Sequence, residues 1–600
     1  MKNALVIVTV SSLLTACAGL MPQARTAPAS ELAASEAMPT GIAPAKGSKS
    51  TSRGSVDIVE DTLPAAELTD ELLFKLLSAE IAFQRGEWQS AYVTELSAAQ
   101  QTRDPRLARR AAEIALSAKQ AGEAMSAVRL WRELAPNSVE ATQYYLGFVL
   151  LGDNLDEAKA ILEKRLAEAR PAMRPVVILQ TQRLLANAKN KDGAFGMLES
   201  LVAPHLSLPE SHIALALNAF VKGDAVRANS EARAALAIKP NSDLAILTLA
   251  QVTPDLTEAG KILTAYLAAH PKATEVRTAY ARSLVEQKKY DLARTEFQQL
   301  LAQQPDNLTS LYALGMLGVQ TNHLSEAEQY LTQYVKALAA APDEERDPGQ
   351  ALLVLAQIAE ERNDPDAALK WLAQVDAGEG LLNAQIKRAQ IVAKRGNVAE
   401  GQRILREMTP EGEREQTQLI LAEAQILRDA NQGAAAFTVL ADALKRYPDN
   451  TDLLYDYAMV AAKANNLEVM EKALRRVMEL APTNQNAYNA LGYSFAERNI
   501  RLPEAYVLVE KALTIAPEDP FIMDSLGWVQ FRLGKLREAE DLLRRAYAAR
   551  PDPEIAVHLG EVLWVKGQKD DAQKLWRDAN TKDPKNDTLK STLARLRVAL

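Results

Sequence analysis

The side chains best suited to chemistry in this 600-residue sequence are five histidines and one cysteine. No two histidines have the H-x-x-x-H spacing that places a pair of zinc ligands on one helix face. The chain also lacks the G-x-S-x-G, P-loop and dinucleotide-binding patterns. His205 and His212 lie nearest each other in the sequence. They are more simply interpreted as turn residues with hydrogen-bonded rings than as metal ligands. Neither a metal site nor a catalytic residue is predicted. The five histidines are His205, His212, His270, His323 and His558.

The single cysteine, Cys17, follows a short apolar segment at the amino terminus. This segment runs from Ala4 to Leu14 after Lys2 and is too short to span a bilayer. Leu14-Thr15-Ala16-Cys17 resembles a bacterial lipobox, in which the cysteine thiol receives a diacylglycerol and the amine freed by cleavage is acylated. We expect residues 1–16 to be a signal peptide and Cys17 to carry lipid. The alternative is a buried cysteine in an ordinary secretory signal.

Lipidation of Cys17 would decide where the rest of the chain works. Several acyl chains, at about 0.8 kcal/mol per buried CH₂, anchor a protein stably. Ala18, rather than Asp, after the cysteine points to the outer membrane in proteins with this motif. No later stretch is apolar over 18 residues, so the remainder is expected in the periplasm. With its only cysteine lipidated, the protein is expected to have no disulfide and no cofactor apart from the covalent lipid.

Residues 17–67 comprise the lipidated cysteine and a segment rich in Ala, Ser, Thr, Pro and Gly. This composition favours a disordered tether, because it offers little apolar surface to bury. Fifty flexible residues have a root-mean-square reach of roughly 40 Å. The first helix is expected after Thr69, a suitable N-cap.

A helix-turn-helix pattern repeats along the rest of the chain and is clearest between Tyr488 and Pro584. Each of its last three copies has a Gly where the two helices approach, an Ala in the second helix and a closing proline. Small residues allow close helix packing, and proline ends the second helix. The closing prolines lie 34 and 33 residues apart, and the pattern resembles the tetratricopeptide repeat. They are Pro517, Pro551 and Pro584.

Fifteen such units can be aligned, beginning near residues 72, 105, 139, 175, 209, 240, 274, 308, 349, 382, 417, 451, 485, 520 and 553. Fourteen residues into a unit the first helix must end, and a residue in the left-handed conformation suits that place. Ten units have Gly or Asn there. We therefore predict an all-α, right-handed superhelical solenoid of about fifteen tetratricopeptide-like repeats. The ten turn residues are Gly86, Gly223, Gly396, Gly534, Gly567, Asn322, Asn363, Asn431, Asn465 and Asn499.

Some segments depart from this regular pattern. The units near 139, 175 and 240 fit worst, and the last is shortened around Val252-Thr253-Pro254-Asp255. Residues 341–348 form an insertion whose prolines and charges exclude a continuous helix. It either divides the repeats into arms at 68–340 and 349–586 or is a surface loop that leaves the stacking undisturbed. Residues 587–600 are predicted to form a capping helix, because their leucines recur at helical spacing.

Aromatic residues are concentrated in the last four units. The concave wall of a solenoid is its usual binding face, and the tetratricopeptide resemblance assigns positions 2, 5, 9, 12 and 13 of the first helix to that wall. One interpretation is a peptide groove whose rings bury apolar side chains of a partner. The other, with equal weight, is that the rings pack between adjacent units. The predicted groove residues are Tyr455, Met459, Tyr493, Phe521, Trp528, Phe531 and Trp564.

Four arginines cluster near the amino end of the repeats. Arg106 and Arg109 face the same wall by the repeat register, so a carboxylate-binding patch is one interpretation, and a solvated helix face is the simpler one. The formal net charge of −8 argues against nucleic acid as the main partner. The four are Arg103, Arg106, Arg109 and Arg110.

Taken together, the chain resembles the proteobacterial outer-membrane lipoproteins built of many tetratricopeptide repeats, which serve as adaptors for periplasmic carboxy-terminal processing proteases. The match is carried by the lipobox, the tether, the opening unit from Ala79 to Gly86, and Thr102-Arg103-Asp104-Pro105-Arg106. The resemblance implies a non-enzymatic adaptor that binds protein partners, among them a protease and its peptidoglycan endopeptidase substrates.

Two other functions compete with this interpretation. One is a structural scaffold of an envelope assembly or export machine, such as one for pili or polysaccharide. The other is a repeat-bearing transferase. The repeats leave no stretch of about 100 residues for a separate catalytic domain, which counts against the transferase.

Overall fold

The computed structural model describes residues 64, 68–153, 155–341, 346–376, 378 and 380–600. Within these ranges all regular structure is helical: 31 α-helices and one 3₁₀ turn at Ala203–His205. The predicted all-α fold is confirmed. No helix of this described part is long and apolar enough to cross a membrane. The predicted signal peptide, Cys17 and nearly all of the predicted tether lie outside the described residues.

The chain divides into two compact units, the first ending at Ala327 and the second beginning at Glu328. The helices up to this boundary are α1 (Asp70–Gln84), α2 (Trp88–Thr102), α3 (Pro105–Ser117), α4 (Ala121–Leu134), α5 (Val139–Leu150), α6 (Asp156–Glu168), α7 (Arg174–Ala186), α8 (Lys191–Val202), α9 (Pro209–Val221), α10 (Ala225–Ile238), α11 (Asp243–Gln251), α12 (Leu256–Ala269), α13 (Thr274–Glu286), α14 (Tyr290–Gln303), α15 (Leu308–Gln320) and α16 (Leu324–Ala340), which contains the boundary.

The second unit continues with α17 (Gly349–Glu361), α18 (Pro365–Leu372), α19 (Leu381–Lys394), α20 (Val398–Arg406), α21 (Glu413–Asp429), α22 (Gly433–Arg446), α23 (Thr451–Lys463), α24 (Leu467–Leu480), α25 (Gln485–Glu497), α26 (Leu502–Ile515), α27 (Pro520–Arg532), α28 (Leu536–Ala549), α29 (Pro553–Val565), α30 (Lys569–Lys582) and α31 (Asp587–Leu596).

Within each unit these helices form consecutive pairs, from α1 with α2 to α13 with α14 in the first and from α17 with α18 to α29 with α30 in the second, each corresponding to one predicted repeat. Within each unit a pair packs against the next pair along the chain. The apolar core is accordingly a series of clusters rather than one centre, for example the cluster from Ala79 to Leu215 and the one from Leu454 to Val529. This serial arrangement is what a stack of repeats predicts.

The turns inside the pairs confirm the predicted register. All ten predicted Gly and Asn residues have positive φ, between +56° and +60° for the asparagines and between +79° and +97° for the glycines. Lys119 and Lys288 adopt φ of +58° at the same place in two more pairs, although lysine gains no local hydrogen bond there. In the pairs beginning at Val139, Arg174 and Asp243, no described turn residue has positive φ. These are the three units that fit the sequence pattern worst.

Small residues hold the two helices of the last pairs together. A Cβ on Gly492 would lie 2.5 Å from Cγ2 of Val509, and one on Gly527 would lie 2.7 Å from Cγ of Leu543. A Cβ on Gly560 would overlap the indole ring of Trp576, which is fully buried. Each glycine therefore allows a large side chain of the second helix to fill the seam.

The ends of the helices follow local sequence signals. The Thr69 side chain accepts a hydrogen bond from the backbone N–H of Leu72 at 3.2 Å, as predicted for an N-cap. α11 has only nine residues and ends at Gln251, before the predicted irregular segment. α31 ends at Leu596, so the helical part of the predicted cap is shorter than 587–600. Leu589 of this helix is buried beside the Trp576 cluster.

Candidate partner-binding site

The predicted groove residues of the last repeats are positioned by the first helices of three consecutive pairs, α25, α27 and α29. Asp519 fixes the start of α27, because its carboxylate accepts from the backbone N–H groups of Phe521 at 2.8 Å and Ile522 at 3.2 Å. α27 packs against both α25 and α29. Trp528, in the third turn of α27, therefore lies between side chains of its two neighbours.

Four rings meet at this place, which we call the aromatic cluster: Tyr493, Trp528, Phe531 and His558. The imidazole of His558 stacks on the indole of Trp528, with ring centroids 4.3 Å apart and planes 22° apart. Phe531 lies 5.1 Å from Trp528, and Tyr493 lies 6.1 Å from His558. Trp528 is only 4% exposed and His558 only 3%. The cluster thus joins α25, α27 and α29 across successive repeats.

His558, one of these four rings, also forms a buried pair with the carboxylate of Asp524. Nδ1 of His558 donates to the carboxylate of Asp524, at 2.9 and 3.0 Å from its two oxygens. Burial alone would lower the pKa of His558, but the charge of Asp524 and this hydrogen bond outweigh burial and raise the pKa above its usual range. The Asp524 carboxylate therefore favours the imidazolium form, which carries an N–H on each ring nitrogen.

Two further carboxylates act on the same cluster. Burial, followed by the charges of Glu497 and Asp524, raises the pKa of the Tyr493 phenol far above its usual range. Glu554 contributes to the raised pKa of both Tyr493 and His558. Its own side chain is exposed, although the surrounding protein removes water from one side of the carboxylate and raises its pKa. The aromatic cluster therefore has a negative electrostatic environment.

Three buried polar atoms of this region have no hydrogen-bond partner among the described residues: Nε1 of Trp528, Nε2 of His558 and Oε1 of Gln530. A buried donor or acceptor without a partner costs about 1–3 kcal/mol. By contrast, Nε1 of Trp576 donates to the carbonyl of Val557 at 3.2 Å. Two tryptophans in neighbouring repeats thus differ in whether their indole N–H is satisfied.

The other predicted groove residues are divided between core and surface. Phe521 is 42% exposed, and the guanidinium of Arg550 lies 4.9 Å from its ring centroid. Trp564 is half-buried and packs 5.6 Å from Trp576. Tyr455 and Met459 are half-buried against the apolar cluster that begins at Leu454. The structure therefore brings Tyr493, Trp528 and Phe531 together and leaves the other four apart from them.

All four arginines of the predicted basic patch pair with carboxylates of this protein. Arg103 is the left-handed residue that ends α2, and the other three lie on α3. A partner carboxylate would have to compete with these internal pairs. The pairs are Arg103 with Glu133 at 3.1 Å, Arg106 with Asp104 at 2.6 Å, Arg109 with Glu140 at 3.0 Å, and Arg110 with Glu80 at 2.8 Å.

His205 and His212 are engaged separately from each other. His212 contacts the carboxylate of Glu231 through Nδ1 at 2.7 Å and the carbonyl of Leu206 through Nε2 at 3.0 Å. His205 lies in the 3₁₀ turn, where burial and the charge of Arg174 lower its pKa. No group of three or more His, Cys, Asp or Glu in the described ranges has the arrangement of a metal site.

Sequence reasoning missed Asp524, Gln530 and His558. Asp524 occupies position 5 of its unit, one of the wall positions, and a carboxylate among apolar positions could have drawn attention to it. His558 lies 34 residues later, at position 6 of the next unit, close to the corresponding place on the next first helix. An acidic residue and a histidine about one repeat apart could therefore have indicated that the two side chains pair.

Residues 255–317 match one tetratricopeptide repeat family model, and residues 421–483 and 525–587 match another. A TPR repeat-containing protein of Pseudomonas aeruginosa is 42% identical over 187 residues, covering 31% of this chain and 32% of that protein. The match therefore spans about a third of that relative.

Similar solved structures include a thermophilic TPR protein of Thermus thermophilus, which is 23% identical to this chain. The match covers 30% of this chain and 99% of that one, with a TM-score of 0.28. MamA of Desulfovibrio magneticus is 16% identical, with 28% and 96% covered and a TM-score of 0.25.

Proposed function

We propose that this protein is a non-enzymatic periplasmic scaffold that binds other proteins on its tetratricopeptide repeats and is held at the outer membrane by lipid on Cys17. The binding role rests on the match of three segments to tetratricopeptide family models, since such repeats generally mediate protein–protein interaction. The lipobox supports the anchor. A scaffold of this kind needs no chemistry of its own.

The proposed partners are a carboxy-terminal processing protease and its cell-wall hydrolase substrates. This part of the proposal rests on the resemblance to adaptor lipoproteins, carried by the lipobox, the tether and the opening repeat. Two proteins held on one scaffold meet at an effective concentration far above their free concentration. The repeats would therefore accelerate proteolysis by bringing enzyme and substrate together.

The test uses three purified components: the full-length protein in detergent, the protease and a peptidoglycan endopeptidase. We expect the endopeptidase to be cleaved about tenfold faster or more when the scaffold is present at a concentration similar to those of its partners. An excess of scaffold should slow the reaction again, because enzyme and substrate then occupy different scaffold molecules. A cleavage rate that does not depend on the scaffold would contradict the adaptor role.

A scaffold of an envelope export machine would give a different result. Affinity purification of the lipidated protein from membranes, followed by mass spectrometry, should recover the protease and a cell-wall hydrolase. Recovery of pilus or polysaccharide-export subunits in their place would favour the structural scaffold.

A further inference from the structure

Near the aromatic cluster, some carboxylates have no cationic side chain of the described part of the chain paired with them. Two carboxylates near it are neutralised, Asp524 by His558 and Glu561 by Arg595, whose Nη2 lies 2.6 Å from Oε2 of Glu561. Glu497 and Glu554 form no salt bridge with any described residue, and both charges act on His558. The wall formed by the last three first helices is therefore short of positive charge.

A nearby cation of the protein leaves this imbalance in place. The guanidinium of Arg532 lies 5.8 Å from the Trp528 ring and donates through Nε to the side chain of Asn499 at 3.3 Å. It forms no salt bridge with Glu497 or Glu554. Arg595, which pairs with Glu561, also acts on Glu497, whereas Glu554 faces the further carboxylates of Asp552 and Asp583.

The aromatic cluster also holds two buried nitrogens without a hydrogen-bond partner among the described residues. Nε1 of Trp528 is always a donor, and Nε2 of His558 is a donor in the protonated form. Neither has an acceptor among the described residues, although both side chains are more than nine-tenths buried. Because the two rings stack 4.3 Å apart, both donors can serve one short ligand segment. Gln530 supplies an unused acceptor, Oε1, on the same helix.

We infer that the last three repeats bind an extended, positively charged peptide segment. Its basic side chain is neutralised by Glu497 and Glu554, and its main-chain carbonyls accept from Trp528 and His558. A peptide fits better than an isolated cation, because it supplies the positive charge and the acceptor oxygens together. Tyr493 and Phe531 are half-buried at the edge of the cluster, and we expect these rings to rotate when the donors are engaged. The inference rests on the proposed protein-binding function and specifies the chemistry of the bound segment.

The probes are two labelled decapeptides, one of alternating Lys and Ala and one of alternating Glu and Ala. Binding to the full-length protein in detergent is followed by fluorescence anisotropy at low and at physiological salt. We expect the Lys peptide to bind at least about tenfold more tightly than the Glu peptide. Equal binding of the two peptides, or tighter binding of the Glu peptide, would overturn the inference.

Charge variants separate a specific site from the general attraction of an acidic protein for a basic peptide. Glu554→Gln removes a carboxylate of the proposed site and should weaken binding of the Lys peptide about threefold to fivefold. Glu538→Gln removes an exposed carboxylate on α28, the second helix of the pair that α27 begins and outside the three first helices that form the site, and should leave binding unchanged. Equal losses from both variants would mean non-specific attraction and would refute the site.

Two tryptophan variants test the donors. Trp528→Phe keeps an aromatic ring but removes the unpartnered N–H, and it should weaken binding about fivefold with the protein still folded. Trp576→Phe removes an N–H already bonded to Val557, so it should lower the melting temperature and leave affinity unchanged. If Trp528→Phe lowers the melting temperature and leaves the affinity intact, the aromatic cluster is only core.

These outcomes are distinguishable from failure of the proposed function. If neither peptide binds but the protein still accelerates the protease, the peptide inference is wrong and the scaffold role remains. If the Lys peptide binds as expected but proteolysis is not accelerated, the peptide site is correct and the protease assignment is wrong.

Discussion

Replacing Glu95 by glutamine should stabilise the amino-terminal repeat above neutral pH. Glu95 lies on α2, is 4% exposed, and has no hydrogen-bond partner for Oε2 among the described residues. Burial raises the pKa of Glu95 to about 7; Arg110 opposes this rise and Glu80 adds to it. The folded protein therefore holds a proton on this carboxyl that the unfolded chain releases near pH 4.5.

The size of the effect follows from the two pKa values. A rise from 4.5 to about 7 corresponds to roughly 3 kcal/mol, at 1.36 kcal/mol per pH unit. Between these values the folded state binds more protons than the unfolded state, so stability falls as the pH rises through this window. Glutamine mimics the protonated carboxyl and cannot ionise. The gain from Glu95→Gln should therefore approach about 3 kcal/mol at pH 8 and fall below about 1 kcal/mol at pH 5.

Hydrogen exchange of the α2 amides measures the free energy of opening of this repeat. A local measurement is needed because terminal repeats open independently of the rest. Comparison of variant and wild type at one pH cancels the intrinsic exchange rate. We expect Glu95→Gln to increase α2 protection up to about a hundredfold at pH 8 and only a few-fold at pH 5. Glu87→Gln, at an exposed position just before the same helix, is the matched control and should change little. Equal gains at both pH values, or a loss of protection at pH 8, would refute the reasoning.

Three further predictions concern the turns, the seams and the anchor. Gly534→Val forces a β-branched residue into φ of +79° and should cost about 1–2 kcal/mol in thermal unfolding, whereas Gly534→Asn should cost less. Gly560→Ala should cost about 1–3 kcal/mol because its Cβ meets the Trp576 ring, whereas Gly433→Ala, with open space around it, should be neutral or stabilising; equal effects would contradict the packing argument. Cys17→Ser should release the protein from the outer-membrane fraction, and continued retention there would contradict lipidation.

Much of the fold could be predicted because the signals are local. A Gly or Asn at the end of a helix indicates a left-handed backbone conformation at that residue. A Gly facing a large side chain indicates that the two helices of a pair approach closely there. These signals fail where another residue adopts the same conformation. Lys119 and Lys288 occupy the left-handed turn position, and lysine has no preference for it. Those two turns could be predicted only from the spacing between repeats, because the residue type gave no signal.

The candidate site was less predictable because its contacts form between repeats. Trp528 could be assigned to a wall position, but whether it would be exposed or buried depended on which side chain the following first helix places against it. That side chain is His558, which stacks on the indole and covers it. Phe521, on the same helix and also at a wall position, faces the guanidinium of Arg550 and remains 42% exposed. Repeat register alone does not separate the two cases.

The polar groups of the aromatic cluster are difficult to explain as packing alone. Much of the repeat stacking in this unit uses apolar side chains such as Ala458, Leu474 and Val509, and apolar residues of similar volume commonly replace a buried ion pair with no loss of stability. Asp524 and His558 instead form such a pair, and Trp528 and His558 each keep a ring nitrogen without a partner among the described residues. Departures from local stability rules of this kind are expected at functional sites, because a bound ligand supplies what the free protein lacks. On this argument, Trp528 and Trp576 mark the difference between a surface prepared for a partner and a seam that is already complete.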